Sequence, residues 1–178
     1  MFFAHIPAGY LLSQGLLNIR AAQRLTPNTQ RKLLATGLVA SVLPDLDLVY
    51  FYLEACCRGG HRVLPSHWPM LWLGVALLVT LVAWIARRKD WLWYNLFLLA
   101  NVQLHFLLDT VAGPIRWFHP FDPSYFTWIY VERKPGWWVW SYLTHISMII
   151  ELSIVVAACL YWWCARKAQA RASAYQSI

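Results

Sequence analysis

Apolar residues dominate five stretches of the chain, each bounded by charged or turn-forming positions: Phe2 to Ile19, Leu33 to Leu53, Pro69 to Ala86, Trp91 to Thr110 and Ile146 to Cys164. At a rise of about 1.5 Å per residue, about twenty such residues cross a hydrocarbon core. The pattern predicts an all-α, polytopic membrane helical bundle of about five spans. A long aromatic loop follows the fourth, from Arg116 to Thr144, with Trp117, Phe118, Trp128, Trp137, Trp138 and Trp140 among its rings. Such rings suit the headgroup level of a bilayer. The first stretch lacks both a positive leading region and a small-residue cleavage site, so it reads as a retained helix and not a signal peptide.

The polar exceptions inside these stretches carry the chemistry. His105 and Asp109 are four apart, which stacks an imidazole and a carboxylate on one helix face. Two ligands of one metal ion can be arranged that way. The helix is expected to stop at Gly113-Pro114, because Gly suits a C-terminal cap and Pro cannot extend the ladder. In the second stretch, Pro44-Asp45-Leu46-Asp47 places two carboxylates where each costs about 2.5–3.5 kcal/mol unless compensated. Pro44 suits the start of a second helical piece with both acids in its first turn. Residues two apart do not share a helix face, so one of Asp45 and Asp47 is expected as a direct ligand and the other as a supporting or bridging group.

Further candidates lie around these. His5 precedes Pro7 and Gly9 near the start of the first stretch, and His61 and His67 sit six apart after Gly59-Gly60, at a loop-to-helix junction. Two rings there can converge on one ion or serve acid–base chemistry. Arg62 is either a topology charge or a clamp for a phosphate or carboxylate, and Arg116 is a second candidate for that role. His119 reads as interfacial, His145 stands at the mouth of the last stretch, and Glu151 inside it needs a partner.

Composition narrows the class. The 178 residues are 60% hydrophobic, 16% aromatic and only 13% charged, which excludes an ordinary soluble domain. The net charge of +7 does not point to nucleic acid, because the basic residues form short clusters between apolar runs and no stripe interleaved with stacking rings. The cysteines, Cys56-Cys57, Cys159 and Cys164, lack zinc or disulfide spacing and read as structural. With five alternating spans, the loops at Arg20–Lys32 and Arg87–Asp90 and the C-terminal tail share one side with ten Lys or Arg, against five opposite. The positive-inside rule makes the richer side cytoplasmic. His5, His61, His67, His105, Asp109, His119 and His145 then all lie toward the other face, with Asp45 and Asp47 in the nearer half of their helix. Residues 1–165 read as one integral membrane domain and 166–178 as a basic, solvated tail.

The order of an early His, Leu-Pro-Asp-Leu-Asp, His-Arg with a following Ser-His, and Leu-His-x-x-x-Asp-Thr with Gly-Pro and aromatics after it resembles the YdjM-type (YbcI/YdjM-like) family of membrane-bound metal-dependent hydrolases. The resemblance covers His5 to about Phe121. It implies a divalent-metal hydrolase in a bacterial inner membrane, with Asp45, Asp47, His61, His67, His105 and Asp109 at the motif positions. The chain departs from the family's His-Arg-Gly-x-Thr-His-Ser: Val63-Leu64-Pro65 lengthens the spacing, and Trp68 replaces the serine.

Imidazole and carboxylate ligands suit Zn²⁺ or a similar divalent ion, as one or two ions, which acidifies a water and polarises a scissile oxygen. His105, Asp109, Asp45 and His61 are expected as direct ligands. Asp47 and His5 would support them or bind a second ion, and His67 is a ligand or general acid; His67 and Asp47 are the catalytic candidates. A site at headgroup depth suggests a phospholipid or lipid-linked phosphoester, held by Arg62 and Arg116. The rival reading is a non-enzymatic membrane protein with a metal or proton pathway. Against it, the cytoplasmic halves of the spans from Pro69 and Trp91 are nearly purely apolar.

Overall fold

The structure, a computed structural model, describes residues 3–54, 61–129 and 143–176. Those residues form helices α1 (His5–Leu17), α2 (Arg20–Gln23), α3 (Pro27–Ala40), α4 (Asp47–Glu54), α5 (Pro69–Ile85), α6 (Lys89–Ala112) and α7 (Ile146–Gln176), with short 3₁₀ turns between them. The described residues contain no strand; a single antiparallel bridge joins Ile115 and Phe126. The all-α expectation therefore holds. Cys56, Cys57, Arg58, Tyr130, Arg133, Lys134, Trp137, Trp138 and Trp140 lie outside the described residues, so the aromatic loop is seen only to Ile129.

Among the described residues two helices are long and apolar enough to cross a membrane, α6 and the Ile146–Arg171 part of α7. A third crossing exists if Pro27–Ala40 and Leu43–Tyr50, bent by 52°, form one broken span. The break falls where expected, because Pro44 lacks an N–H and the chain tightens into a 3₁₀ turn over Leu43–Leu46. With 13 residues α1 is short of a straight crossing, and so is α5 with 17. Length and composition thus support two or three spans where the hydrophobic pattern predicted five. The last helix also continues beyond Cys164, so Arg166, Lys167 and Arg171 extend α7 as further helical turns.

Local chemistry explains the helix starts. Thr26 accepts the Thr29 backbone N–H at 3.2 Å, and Pro27 follows it at the first helical position of α3. Between α5 and α6 the chain reverses through a Schellman arrangement: Arg88 N–H donates to the Ala83 carbonyl at 2.8 Å and Arg87 N–H to that of Trp84 at 3.2 Å. Asn95 ties the two helices together, donating to the Ala76 carbonyl and to Thr80 Oγ1, both at 2.9 Å.

Small residues bring α1, α3 and α6 together. Gly9 and Ser13 are four apart on α1, and Gly37 and Ser41 are four apart along α3 and its cap. The two pairs meet head to tail. A Cβ at Gly9 would lie 2.6 Å from that of Ser41, and one at Gly37 would overlap Ser13 Oγ. Such spacing lets membrane helices approach closely where lipid offers no hydrophobic drive. Asn101 of α6 closes the junction, donating to Ser13 Oγ at 3.2 Å and to the Phe97 carbonyl at 2.8 Å.

Half of the apolar window of α6 is buried but only 11% of that of α7, so α6 is the central helix and α7 the outer one. The outer face of α7 exposes Ile149, Leu152, Val156 and Leu160, and that of α5 exposes Leu77, Leu78 and Trp84. Inside, Glu151 is buried and accepts the backbone N–H of Phe3 at 2.6 Å. That contact answers its need for a partner and fixes the start of α1 against α7.

Candidate metal centre

One end of the bundle gathers most of the chemistry. The 3₁₀ turn at Leu43–Leu46 supplies Asp45, the first residue of α4 is Asp47, and a second 3₁₀ turn at Pro65–His67 supplies His67. The last turns of α6 bring His105 and Asp109, and α1 begins at His5. One ligand atom each from Asp45, His67, His105 and Asp109 lies within 4.8 Å of the others. Asp45 Oδ1 is 3.5 Å from His67 Nε2 and 3.6 Å from His105 Nε2. Ligands at about 2.1 Å around a tetrahedral ion are separated by about 3.4 Å, close to both distances from Asp45 Oδ1.

Both imidazoles are held in the manner that metal sites require. His105 Nδ1 donates to the Ser41 carbonyl at 2.9 Å, and its Nε2 is buried without a hydrogen-bond partner among the described residues. His67 Nδ1 lies 2.7 Å from Asp47 Oδ2, which also accepts the Ser66 hydroxyl at 2.5 Å. Occupying Nδ1 fixes the tautomer and leaves the Nε2 lone pair to face inward. Burial pushes the His67 imidazole down, but the neighbouring carboxylates of Asp45 and Asp47 outweigh it and hold the ring above the ordinary histidine value. The residues therefore fit a divalent ion, because two imidazole nitrogens converge with two carboxylates.

His5 belongs to this cluster. Its ring stacks on His105 at 4.0 Å, and Nε2 reaches Asp109 Oδ1 at 3.3 Å and Asp45 Oδ2 at 3.8 Å. Arg62 is also drawn in, with Nη2 2.9 Å from Asp109 Oδ2. Gly113 makes room for it, since a Cβ there would overlap Arg62 Nη1. The role of Gly113 is this space and not a left-handed cap, because its φ of 177° is extended backbone.

The two acids stand on different sides of His67. Asp47 touches His67 from behind while Asp45 faces both Nε2 atoms, so His67 is clasped between carboxylates from a 3₁₀ turn and the helix after it. His61 starts a 3₁₀ turn (His61–Val63), and its side chain lies outside the described residues. Of the two histidines of this junction, His67 is the one seen among the carboxylates. Arg116 lies over Tyr125, 4.4 Å from the ring centre, and His119 packs against Trp68 with ring centres 4.0 Å apart and the planes tilted by 34°. His145 Nδ1 accepts the Ser147 backbone N–H at 3.2 Å and so caps the start of α7. Sequence reasoning missed Ser41, whose carbonyl orients His105; a backbone acceptor leaves no side-chain signal.

Apolar helices around a buried knot of imidazoles and carboxylates define a helical membrane protein with a possible metal-binding centre. The chain belongs to the YdjM inner membrane protein family, whose family model matches residues 1–171. That match runs past Phe121, where the motif resemblance ended, and through most of α7. No curated protein and no solved structure matches the chain significantly.

Proposed function

We propose that this protein is a divalent-metal-dependent hydrolase of a bacterial inner membrane. In this reading it crosses the membrane five times, α1 and α5 serving as short spans that a locally thinned bilayer accommodates. The site then lies near the non-cytoplasmic face. The observation that supports it best is the pair of imidazoles, each tied through Nδ1 and each turning Nε2 toward Asp45. Asp45, His67, His105 and Asp109 would hold the ion, with Zn²⁺ suited to this donor set.

A bound divalent ion supplies Lewis acidity, which polarises a scissile ester and acidifies water. The chain's own groups do the rest. Asp47 retains the Nδ1 proton of His67 and keeps that ring in register. His5 packs behind His105 and next to Asp109. Arg62 is partly exposed beside Asp109 and offers its remaining donors to an anionic substrate oxygen. Asp45 is the most accessible of the four ligand groups, so the opening lies on its side. A phospholipid or lipid-linked phosphoester fits an opening flanked by apolar helices.

The test is metal content by mass spectrometry of the detergent-purified protein beside Asp109→Ala and His105→Ala, with headgroup release from a labelled phospholipid as the activity assay. The expected result is stoichiometric divalent metal and lipid hydrolysis in the wild type, with both lost in the variants. A folded wild type that takes up no divalent ion overturns the reading, and hydrolysis of soluble phosphoesters alone overturns its lipid part.

Arg62 gives a sharper prediction. Its positive charge competes with a cation for Asp109, so Arg62→Ala is expected to tighten metal binding by at least about tenfold. Gly113→Ala should do the same by expelling the guanidinium, and the double variant should add nothing further. Weaker binding in either single variant would show that Arg62 orients Asp109 for the ion instead of competing with it.

A metal or proton pathway remains the rival, favoured by the buried Asn101–Ser13 contact one turn beyond His105. Ion flux in proteoliposomes without lipid hydrolysis would select it.

A further inference from the structure

At the opposite end of α6 from the metal centre, about 24 Å along the helix from His105, the α5–α6 turn borders an open cleft of about 550 Å³. Ala83, Trp84, Ile85 and Leu92 line one part of it, and Arg87 and Lys89 line the rest. The third cation of the turn is turned aside. Arg88 pairs with Asp90, Nε to Oδ1 at 3.1 Å and Nη2 to Oδ2 at 2.9 Å, and lies 5.2 Å from the ring centre of Trp91. That pairing also neutralises the only acid of the turn. Among the described residues neither Arg87 nor Lys89 pairs with a carboxylate.

Arg87 is unusual for a second reason. Its φ of 54° is left-handed, and it occupies the position after the helix cap where the Schellman arrangement ordinarily takes glycine. An arginine is therefore held at a position that its backbone disfavours, beside a cleft that it helps to line. A cost of this kind is kept where the side chain has a task.

We infer that the α5–α6 turn binds an anionic phospholipid, its phosphate between Arg87 and Lys89 and its acyl chains along Trp84, Ile85 and Leu92. Charge complementarity supplies the headgroup end, since two cations face the cleft with no free acid among its lining residues. The apolar end is continuous with the outer face of α5, where Trp84 and Ile85 are 74% and 68% exposed. A cleft of this volume suits a headgroup with part of its chains and exceeds what an inorganic anion fills. The site is independent of the hydrolase reading, because no residue of the metal centre takes part.

The experiment is native mass spectrometry of the full chain released from detergent micelles. The micelles are supplemented with phosphatidylglycerol, with phosphatidylcholine, or with phosphatidylglycerol plus excess inorganic phosphate. The expected result is one retained phosphatidylglycerol per chain, little phosphatidylcholine, and no displacement by phosphate. Arg87→Gly with Lys89→Gln should lower phosphatidylglycerol retention about thirtyfold, the effect of removing two cations near an anionic headgroup. Metal content should be unchanged. Arg87→Gly alone should not lower the melting temperature, because glycine is at home there, and this separates loss of binding from loss of fold. Arg166→Gln with Lys167→Gln, at the end of α7, should retain the lipid. Equal retention of phosphatidylcholine, undiminished binding in the Arg87/Lys89 variant, displacement by inorganic phosphate, or equal loss in the α7 variant would each overturn the assignment.

Discussion

Asp47→Asn is expected to weaken divalent-ion binding by about 10–100-fold, and His105→Ala by more than that, with the helical fold retained in both. The difference follows from what each side chain touches. His105 presents a buried Nε2 toward Asp45 Oδ1, so alanine removes a ligand outright. Asp47 acts through His67: asparagine still offers its oxygen to the Nδ1 proton and to Ser66, but without the charge that makes the imidazole a stronger donor. Competition against a chromophoric chelator measures both affinities, and circular dichroism checks the helices. If Asp47→Asn abolishes binding as completely as Asp45→Ala, Asp47 is itself a ligand. If it changes nothing, His67 lies outside the coordination sphere and the centre rests on α6 and Asp45.

Much of this centre was legible because the costs are local. A carboxylate or imidazole in an apolar stretch is expensive wherever the stretch ends up, so Asp45, Asp47, His105 and Asp109 stand out before any fold is known. Pro44 announced the break that sets the two acids on different sides of His67. Their convergence with His5 and His67 at one end followed from counting crossings, although the helices meet length and composition for only two or three of the five. What was not legible depends on tertiary neighbours. The contact between Arg62 and Asp109 joins a loop to a helix end, and nothing near Arg62 in the chain predicts it. The placement of His67 turns on the Pro65–His67 turn, which aims its ring between two carboxylates. The Gly9/Ser13 and Gly37/Ser41 pairs were present as small residues four apart. Hydropathy passes over them, because in a bilayer the lipid-facing and helix-facing sides are equally apolar.

Those pairs carry the second large effect. Gly37→Ala is expected to cost about 1–3 kcal/mol and to lower the melting temperature in detergent, with weaker metal binding alongside. The added Cβ would overlap Ser13 Oγ and lie 2.8 Å from Asn101 Nδ2 and 3.2 Å from Ser13 Cβ. The asparagine can swing away, but a serine side chain on a packed helix has no such reach, so α1 and α3 must move apart. Both helices lead into the metal centre: α1 carries His5, and the cap of α3 is Ser41, whose carbonyl orients His105. The displacement therefore reaches the ligands without altering one. Ser13→Gly removes two of the three obstacles, Oγ and Cβ, and leaves only the movable asparagine, so the Gly37→Ala, Ser13→Gly double variant should recover most of the stability and the metal affinity. Thermal unfolding followed by intrinsic fluorescence reads the cycle. Additive losses in the double variant would mean that the two residues do not meet as described, because only a shared contact produces coupling of that sign.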